Sequence, residues 1–205
     1  MTRAVAWDID GTLVDSEGLH HLALTAVSAR YGVPITADDD RFIGVDMDEV
    51  WSALRPLFPA GMSRSEWQQE VVAAYLAGAC GLRPFPGLLD TMAELQRAGV
   101  RQCRASNSAR AIVTANLSII GAAAFLDFAI CRDDVVRGKP DPEPYRKACQ
   151  RLDLPAMDVL AVEDSETGLA SARAAGCHVV RFGAGFAGYD RVLELIFANQ
   201  DRQPS

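Results

Sequence analysis

Residues 4–13 read Ala-Val-Ala-Trp-Asp-Ile-Asp-Gly-Thr-Leu. The first four of these residues are apolar, as in a buried strand, and Gly11 breaks the run. Asp8 and Asp10 therefore lie at the C-terminal end of a predicted strand, where open α/β sheets bind their ligands. Side chains alternate along a strand, so these carboxylates point the same way and repel unless a cation such as Mg²⁺ lies between them. The alternative is a turn in which both acids merely cap the next helix.

Three later segments each follow a predicted strand and precede a predicted helix. They read Ala105-Ser106-Asn107-Ser108, Gly138-Lys139-Pro140-Asp141-Pro142 and Val162-Glu163-Asp164-Ser165. The ends of parallel strands meet at one edge of a sheet, so we expect these segments to converge with Asp8.

Strands and helices alternate along most of the chain, which predicts an α/β fold with a doubly wound parallel, Rossmann-like sheet. Helical patterns interrupt this alternation after the first strand, and Ser63 with Glu66 forms a capping-box signature among them. We therefore predict a core made of residues 1–14 and 86–205, with an α-helical cap inserted at residues 15–85.

The later strands are bounded by turn and helix signals. They are predicted at Val100–Ala105, Phe125–Cys131, Val159–Val162 and His178–Phe182. Proline suits the first position of a helix, so we place Pro142 at the first position of the helix after Lys139.

With these four motifs in this order, the chain resembles the haloacid dehalogenase superfamily. The resemblance is to its phosphoglycolate phosphatase-like and β-phosphoglucomutase-like members, which carry a helical cap after the first strand, and it covers nearly the whole chain. It implies a Mg²⁺-dependent phosphatase that hydrolyses a small phosphomonoester, either a sugar phosphate or a phosphoglycolate-like acid, through an aspartyl-phosphate intermediate.

The resemblance also assigns roles to the acids. Asp8 is the expected nucleophile, and a carboxylate needs no deprotonating partner at neutral pH. Asp10 is the expected general acid and base, with its backbone carbonyl facing the metal. Glu163 and Asp164 resemble the acidic motif that completes the Mg²⁺ site, so the expected metal residues are Asp8, Asp10, Glu163 and Asp164.

Lys139 is one of only two lysines in the chain. By resemblance it neutralises the phosphoryl group and holds the nucleophile, while Ser106 and Asn107 bind phosphate. Arg104, in the preceding strand, departs from the apolar pattern of a central parallel strand. A buried unpaired guanidinium is costly, so we expect Arg104 to find an acid or to lie near the end of the sheet.

The cap contributes candidate substrate-binding residues. His20 aligns with a histidine near the acid/base residue in mutase relatives. Gly44 and Met47 belong to the loop 42–47, which we expect to select the substrate. In mutase relatives, basic residues of the cap near this loop hold a second phosphate. This loop contains no lysine or arginine for a second phosphate. The missing basic residues disfavour a phosphomutase, which stays as the alternative function. A phospho-aspartate signalling module is a second alternative.

Composition limits the partners and the compartment. The formal net charge of −7 disfavours nucleic acid and anionic membranes as partners. Neither a membrane-length apolar stretch nor a secretory pattern is present in the sequence, so we expect a cytoplasmic protein. The five cysteines are widely spaced and odd in number, which predicts reduced thiols. The oligomeric state is left open by the sequence, with a monomer as the expectation.

Overall fold

The structure is a computed structural model and describes residues 2–36, 39–42, 45–185 and 187–198. Within these residues the strands are β1 (Ala4–Trp7), β2 (Arg101–Ala105), β3 (Phe128–Ile130), β4 (Val159–Glu163) and β5 (His178–Arg181). They form one sheet in the order β3-β2-β1-β4-β5, and every neighbouring pair is parallel. The predicted α/β class and parallel sheet are confirmed.

β1 lies at the centre of the sheet and is fully buried. Its first residue, Ala4, pairs with Arg101 of β2 on one side and with Val159 of β4 on the other. The chain passes from β1 through β2 to β3 and then returns to β4 on the opposite side of β1. The carboxyl end of β1 is thus a topological switch point, where a crevice opens for ligands.

Helices cover both faces of this sheet. The α-helices of the described residues are α1 (Glu17–Arg30), α2 (Met47–Leu54), α3 (Arg64–Gly78), α4 (Leu88–Arg97), α5 (Arg110–Ile119), α6 (Glu143–Leu152), α7 (Glu166–Ala175) and α8 (Tyr189–Phe197). Ala148 of α6 and Ala172 of α7 belong to the core on one face. On the other face Trp7 packs edge-on against Tyr189 of α8, with ring centroids 6.0 Å apart. The sheet is therefore doubly wound, as predicted.

The predicted strands 100–105, 159–162 and 178–182 each differ from the observed strands by one residue at one end, and two further predictions are wrong for local reasons. The strand expected at residues 125–131 covers only β3, because Ala123–Phe125 form a 3₁₀ turn before it. Pro142 precedes α6 instead of opening it, since the first helical residue is Glu143. Proline has no N–H to leave unsatisfied at a helix start, so either position suits it.

The chain divides into two compact units, Met1–Asp15 with Arg83–Ser205, and Ser16–Leu82. The first unit contains the sheet. The second contains α1, α2 and α3, and α3 begins at the predicted capping box, in which Ser63 and Glu66 exchange side-chain and backbone hydrogen bonds. Within the described ranges, no helix combines the length and the apolar composition that crossing a bilayer requires.

Candidate active site

The carboxyl edge of the sheet in the first unit carries the site, which has two halves. The acid half consists of the carboxylates at the ends of β1 and β4: Asp8, Asp10, Glu163 and Asp164. The polar half consists of the three residues that follow β2: Ser106, Asn107 and Ser108. Lys139, from the segment between β3 and α6, contacts both halves.

The side chain of Lys139 reaches the acid half. Its Nζ donates to Asp8 Oδ1 at 2.6 Å and to Glu163 Oε1 at 2.5 Å, and all three residues are buried. Burial lowers the pKa of Lys139, but the two carboxylates outweigh it and raise its pKa above the ordinary value of 10.5. Lys139 is therefore a permanent cation between the predicted nucleophile and the acidic motif.

The backbone of Lys139 is fixed by the polar half. Asn107 Nδ2 donates to the Lys139 carbonyl at 3.0 Å, and the Lys139 N–H donates to Asn107 Oδ1 at 2.8 Å. A Cβ at Gly138 would lie 2.6 Å from Asn107 Oδ1, so glycine allows this close approach. One amide side chain thus orients the segment that carries the lysine.

Negative charge is concentrated around Asp8. Burial raises the pKa of Asp8 well above its ordinary value, and the carboxylate of Glu163 raises it further, while Lys139 opposes both effects. Oxygen atoms of Asp8, Glu163 and Asp164 lie within 4.8 Å of one another. One lysine does not offset this density of carboxylates, whereas a divalent cation would.

Two features indicate that these acids fit a hard cation. Glu163 Oε2 is buried and accepts no hydrogen bond from the described residues. A Cβ at Gly11, where φ is +78°, would lie 2.1 Å from Asp164 Oδ2, so the backbone after β1 leaves a cradle for this carboxylate. Three convergent carboxylates are the oxygen donors that Mg²⁺ prefers.

Asp10 and Ser106 contact the third residue of the polar half. Ser108 Oγ donates to Asp10 Oδ2 at 2.6 Å, and Ser106 Oγ accepts from the Ser108 N–H at 3.0 Å. Ser108 was not assigned a role from the sequence, although it follows two predicted phosphate ligands. Its hydroxyl joins the polar half to Asp10.

Arg104 lies one residue from the end of β2 and is fully buried. Its Nη2 donates to the Cys131 thiol at 2.9 Å, while Nε and Nη1 have no partner among the described residues. Burial lowers the pKa of Arg104, and the charges of Asp8 and Asp10 partly oppose this. Of the two expectations for Arg104, the structure meets the second: the residue lies near the end of its strand. Its hydrogen-bond partner is a thiol and not an acid.

Tyr145 is a component that the sequence did not indicate as functional. It lies in the first turn of α6, is fully buried, and its hydroxyl donates to Glu163 Oε1 at 2.5 Å. The sequence feature that could have indicated Tyr145 is its position six residues after Lys139, on a helix face that packs on the sheet. A buried tyrosine hydroxyl requires a partner there.

The sequence model of the haloacid dehalogenase-like hydrolases matches residues 2–176. The chain belongs to this family. The predicted family, the fold class and the enzyme class, a phosphoric monoester hydrolase, are confirmed by the comparisons.

Individual family members are similar over most of their length. Validoxylamine A 7'-phosphate phosphatase of Streptomyces hygroscopicus subsp. limoneus is 33% identical, covering 88% of this chain and 85% of that protein. Hexitol phosphatase A of Escherichia coli is 29% identical, with 89% and 83% covered. The crystal structure of CbbY from Rhodobacter sphaeroides with xylulose-(1,5)bisphosphate gives a TM-score of 0.81 at 26% identity and covers 92% of this chain and 88% of that one.

The predicted substrate residues of the cap belong to the second unit. His20 lies on α1, where its ring contacts that of Tyr75 with centroids 4.4 Å apart. Met47 is the first residue of α2. Gly44 lies outside the described residues. For all three, substrate binding stays a prediction.

The cysteines differ in their burial. All five are free thiols, and four of them are buried, with only Cys80 exposed.

Proposed function

We propose that the protein is a Mg²⁺-dependent phosphatase that hydrolyses a small phosphomonoester through an aspartyl phosphate on Asp8. The observation that carries this proposal is the contact of Lys139 Nζ with Asp8 Oδ1 at 2.6 Å, next to the carboxylates of Glu163 and Asp164. A buried lysine that touches a carboxylate at a switch point suits the binding of a phosphoryl group between them. A cytoplasmic location stays a prediction.

Sugar phosphates and phosphoglycolate-like acids are the proposed substrate class. Relatives that support it are named for a validoxylamine phosphate and for hexitol phosphates, and CbbY holds a pentulose bisphosphate. What these compounds share is a phosphate ester on a polyhydroxylated molecule. We propose that the first unit is the catalytic core and that the second unit, acting as the cap, selects among them.

In the first proposed step an oxygen of Asp8 attacks phosphorus. The bond from phosphorus to the leaving oxygen breaks, and Asp10 gives its proton to that oxygen, so the alcohol leaves neutral. Lys139 neutralises charge on the phosphoryl oxygens. Ser106 donates its hydroxyl hydrogen to one of these oxygens, and Asn107 keeps Lys139 in place.

In the second step a water molecule hydrolyses the intermediate. Asp10, now ionised, accepts a proton from the water as its oxygen attacks phosphorus. The bond from phosphorus to Asp8 breaks, which restores the carboxylate and releases inorganic phosphate. Ser108, which donates to Asp10 Oδ2, orients that carboxyl group for both proton transfers.

Mg²⁺ would be held by the side chains of Asp8, Glu163 and Asp164, together with the backbone carbonyl of Asp10. When bound it supplies positive charge that stabilises the transferring phosphoryl group. Bound Mg²⁺ and Lys139 would together offset the negative charge of the four acids and of the phosphoryl group.

The test is a phosphoester panel that contains p-nitrophenyl phosphate, several sugar phosphates and phosphoglycolate, assayed for released inorganic phosphate. We expect multiple turnovers with Mg²⁺ and none after treatment with EDTA, with activity restored by added Mg²⁺. Undiminished turnover in EDTA would refute the metal requirement.

The same assay separates the alternatives. A phosphomutase would convert a sugar 1-phosphate into its 6-phosphate without stoichiometric release of phosphate. A signalling module would accept one phosphoryl group per protein from a small donor and release it slowly. Either result would replace the proposed hydrolysis.

A further inference from the structure

Tyr145 carries a buried hydroxyl that the proposed reaction does not use. The residue is fully buried on α6, and its ring lies 5.4 Å from Lys139 Nζ. Its hydroxyl donates to Glu163 Oε1 at 2.5 Å. A phenol has one hydrogen to donate, and the Tyr145 hydroxyl directs it to Glu163.

The two oxygens of Glu163 have different surroundings. Oε1 accepts from both Lys139 Nζ and Tyr145 OH, each at 2.5 Å. Oε2 accepts nothing from the described residues. A Cβ added at Gly168 would lie 2.0 Å from Oε2 and 2.3 Å from Oε1, so the missing side chain there makes room for the whole carboxylate. Two donors therefore fix this carboxylate by Oε1.

Lys139 is shared between two carboxylates, Asp8 and Glu163, at nearly equal distances of 2.6 Å and 2.5 Å. If Tyr145 did not donate to Glu163, Lys139 would be the only donor, among the described residues, to Oε1 of a fully buried carboxylate. An under-satisfied buried charge attracts the remaining cation. Lys139 would then move toward Glu163 and away from the predicted nucleophile.

We propose that Tyr145 is a positioning residue for the acid half. Its hydroxyl fixes Glu163 by Oε1, which keeps Lys139 on Asp8 and leaves Oε2 for the metal ion. The catalytic part of this inference rests on the proposed function, whereas its effect on metal binding does not.

The variant Tyr145→Phe removes only the hydroxyl. Loss of a partner that orients a metal ligand typically costs 10- to 100-fold in metal affinity or activity. We expect the Kd for Mg²⁺, measured by calorimetry without substrate, to rise by roughly tenfold. We also expect kcat to fall by roughly 10- to 100-fold while KM stays within about twofold.

The matched control is Tyr31→Phe, which removes a tyrosine that also donates to a glutamate, Glu70, in the second unit. We expect this control to leave the Mg²⁺ affinity and kcat as in the wild type. Equal losses in both variants would overturn the proposal, because a general loss of packing would explain them.

A double-mutant cycle tests whether Tyr145 acts through Glu163. In a Glu163→Gln background, Tyr145→Phe should change the Mg²⁺ affinity by less than about twofold, since its target has already been altered. Losses that multiply across the two substitutions would overturn the proposal.

Gly168→Ala provides a second route, which acts on Glu163 directly. The added methyl group would lie 2.0 Å from Oε2 and 2.3 Å from Oε1 of Glu163, so we expect it to displace this carboxylate and also to weaken Mg²⁺ binding. The control is Gly18→Ala on α1, where an added Cβ meets nothing within 4 Å. If Tyr145→Phe does not fold, wild-type Mg²⁺ affinity in Gly168→Ala overturns the proposal.

Failure of this inference differs from failure of the proposed function. Weakened Mg²⁺ binding in a protein that hydrolyses no phosphomonoester would support the role of Tyr145 and refute the function. Wild-type kcat and Mg²⁺ affinity in Tyr145→Phe, together with weakened Mg²⁺ binding in Gly168→Ala, in an enzyme that does hydrolyse phosphomonoesters, would refute the role of Tyr145 alone.

Discussion

The acid half and the polar half of the site lie at the same sheet edge but are held together by different forces. The acid half places carboxylates of Asp8, Glu163 and Asp164 within 4.8 Å of one another around one buried lysine. The polar half is held by neutral hydrogen bonds at 2.8–3.0 Å, namely those between Asn107 and the Lys139 backbone and that from the Ser108 N–H to Ser106 Oγ. The acid half therefore depends on cations, whereas the polar half depends on geometry.

Lys139 is the residue that makes the two halves one site. Its ammonium group belongs to the acid half, and its backbone N–H and carbonyl belong to the polar half. Substitutions in the acid half should change chemistry and metal affinity. Substitutions in the polar half should change the placement of the lysine without changing metal affinity.

Asp8→Asn is expected to have the largest effect. An amide cannot displace at phosphorus, so kcat should fall by at least about a thousandfold. Burial disfavours the ionised Asp8, and the amide still presents an oxygen to Lys139, so the fold should persist. The measurements are steady-state kinetics and circular dichroism.

The control for this variant is Asp153→Asn. Asp153 follows α6 at φ +55°, a conformation that asparagine also adopts. The control should retain wild-type kinetics. Activity of Asp8→Asn within tenfold of the wild type would exclude Asp8 as the nucleophile.

Gly11→Ala tests the acid half through the proposed metal site. The new methyl group would collide with the Asp164 carboxylate, so the Kd for Mg²⁺ should rise by roughly 10- to 100-fold. Gly99→Ala is the matched control, because Gly99 has a similar φ of +73° but open space around it. Each variant should lose about 1–2 kcal/mol of stability from backbone strain. Equal Mg²⁺ affinity in the two variants would contradict the assignment of Asp164 to the metal site.

The sequence predicted which residues meet at the sheet edge. Asp8, Ser106, Lys139 and Glu163 converge because parallel strands bring their carboxyl ends to one edge, and strand order follows from alternating strands and helices. Apolar runs and turn residues located those strands well enough. Polar residues that follow predicted parallel strands therefore indicate which side chains the fold brings together.

The remaining parts depend on tertiary contacts that sequence patterns do not encode. In the sequence, Tyr145 has the pattern of a core residue on a helix. Its hydroxyl reaches Glu163 because α6 packs on the sheet. The thiol partner of Arg104 comes from Cys131, 27 residues away. The close approaches at Gly11 and Gly168 likewise follow from the path of the backbone and from side chains elsewhere in the chain.

Asn107→Ala tests the polar half. It removes both hydrogen bonds to the Lys139 backbone, which should cost about 1–3 kcal/mol of stability. A lysine displaced by a fraction of an ångström should lower kcat/KM by roughly tenfold or more. Calorimetry should give a Kd for Mg²⁺ within twofold of the wild type. A large loss of Mg²⁺ affinity would show that the two halves are not separable.

Glu143→Gln tests how the backbone segment that leads to Lys139 is held in place, and it should have the smallest effect on activity. The Glu143 carboxylate accepts from the N–H groups of Val136 and Arg137 at 3.0 and 2.9 Å, and it contacts Lys147 Nζ at 2.9 Å. The bonds from the Arg137 backbone and from Lys147, followed by that from Val136, lower the pKa of Glu143 to about 2. The segment that carries Lys139 is thus anchored by an ionised carboxylate.

The expected pH dependence follows from the lowered pKa. The ionised carboxylate stabilises the folded protein above its ordinary pKa of 4.5, and this stabilisation is lost as pH falls toward about 2. Urea unfolding should therefore find Glu143→Gln less stable than the wild type at pH 7, with a difference that shrinks between about pH 4.5 and pH 2. Glu194→Gln, which alters only an exposed pair with Arg191, should change the pH 7 midpoint less. A difference that stays constant from pH 7 to pH 3 would mean that Glu143 acts through packing instead of charge.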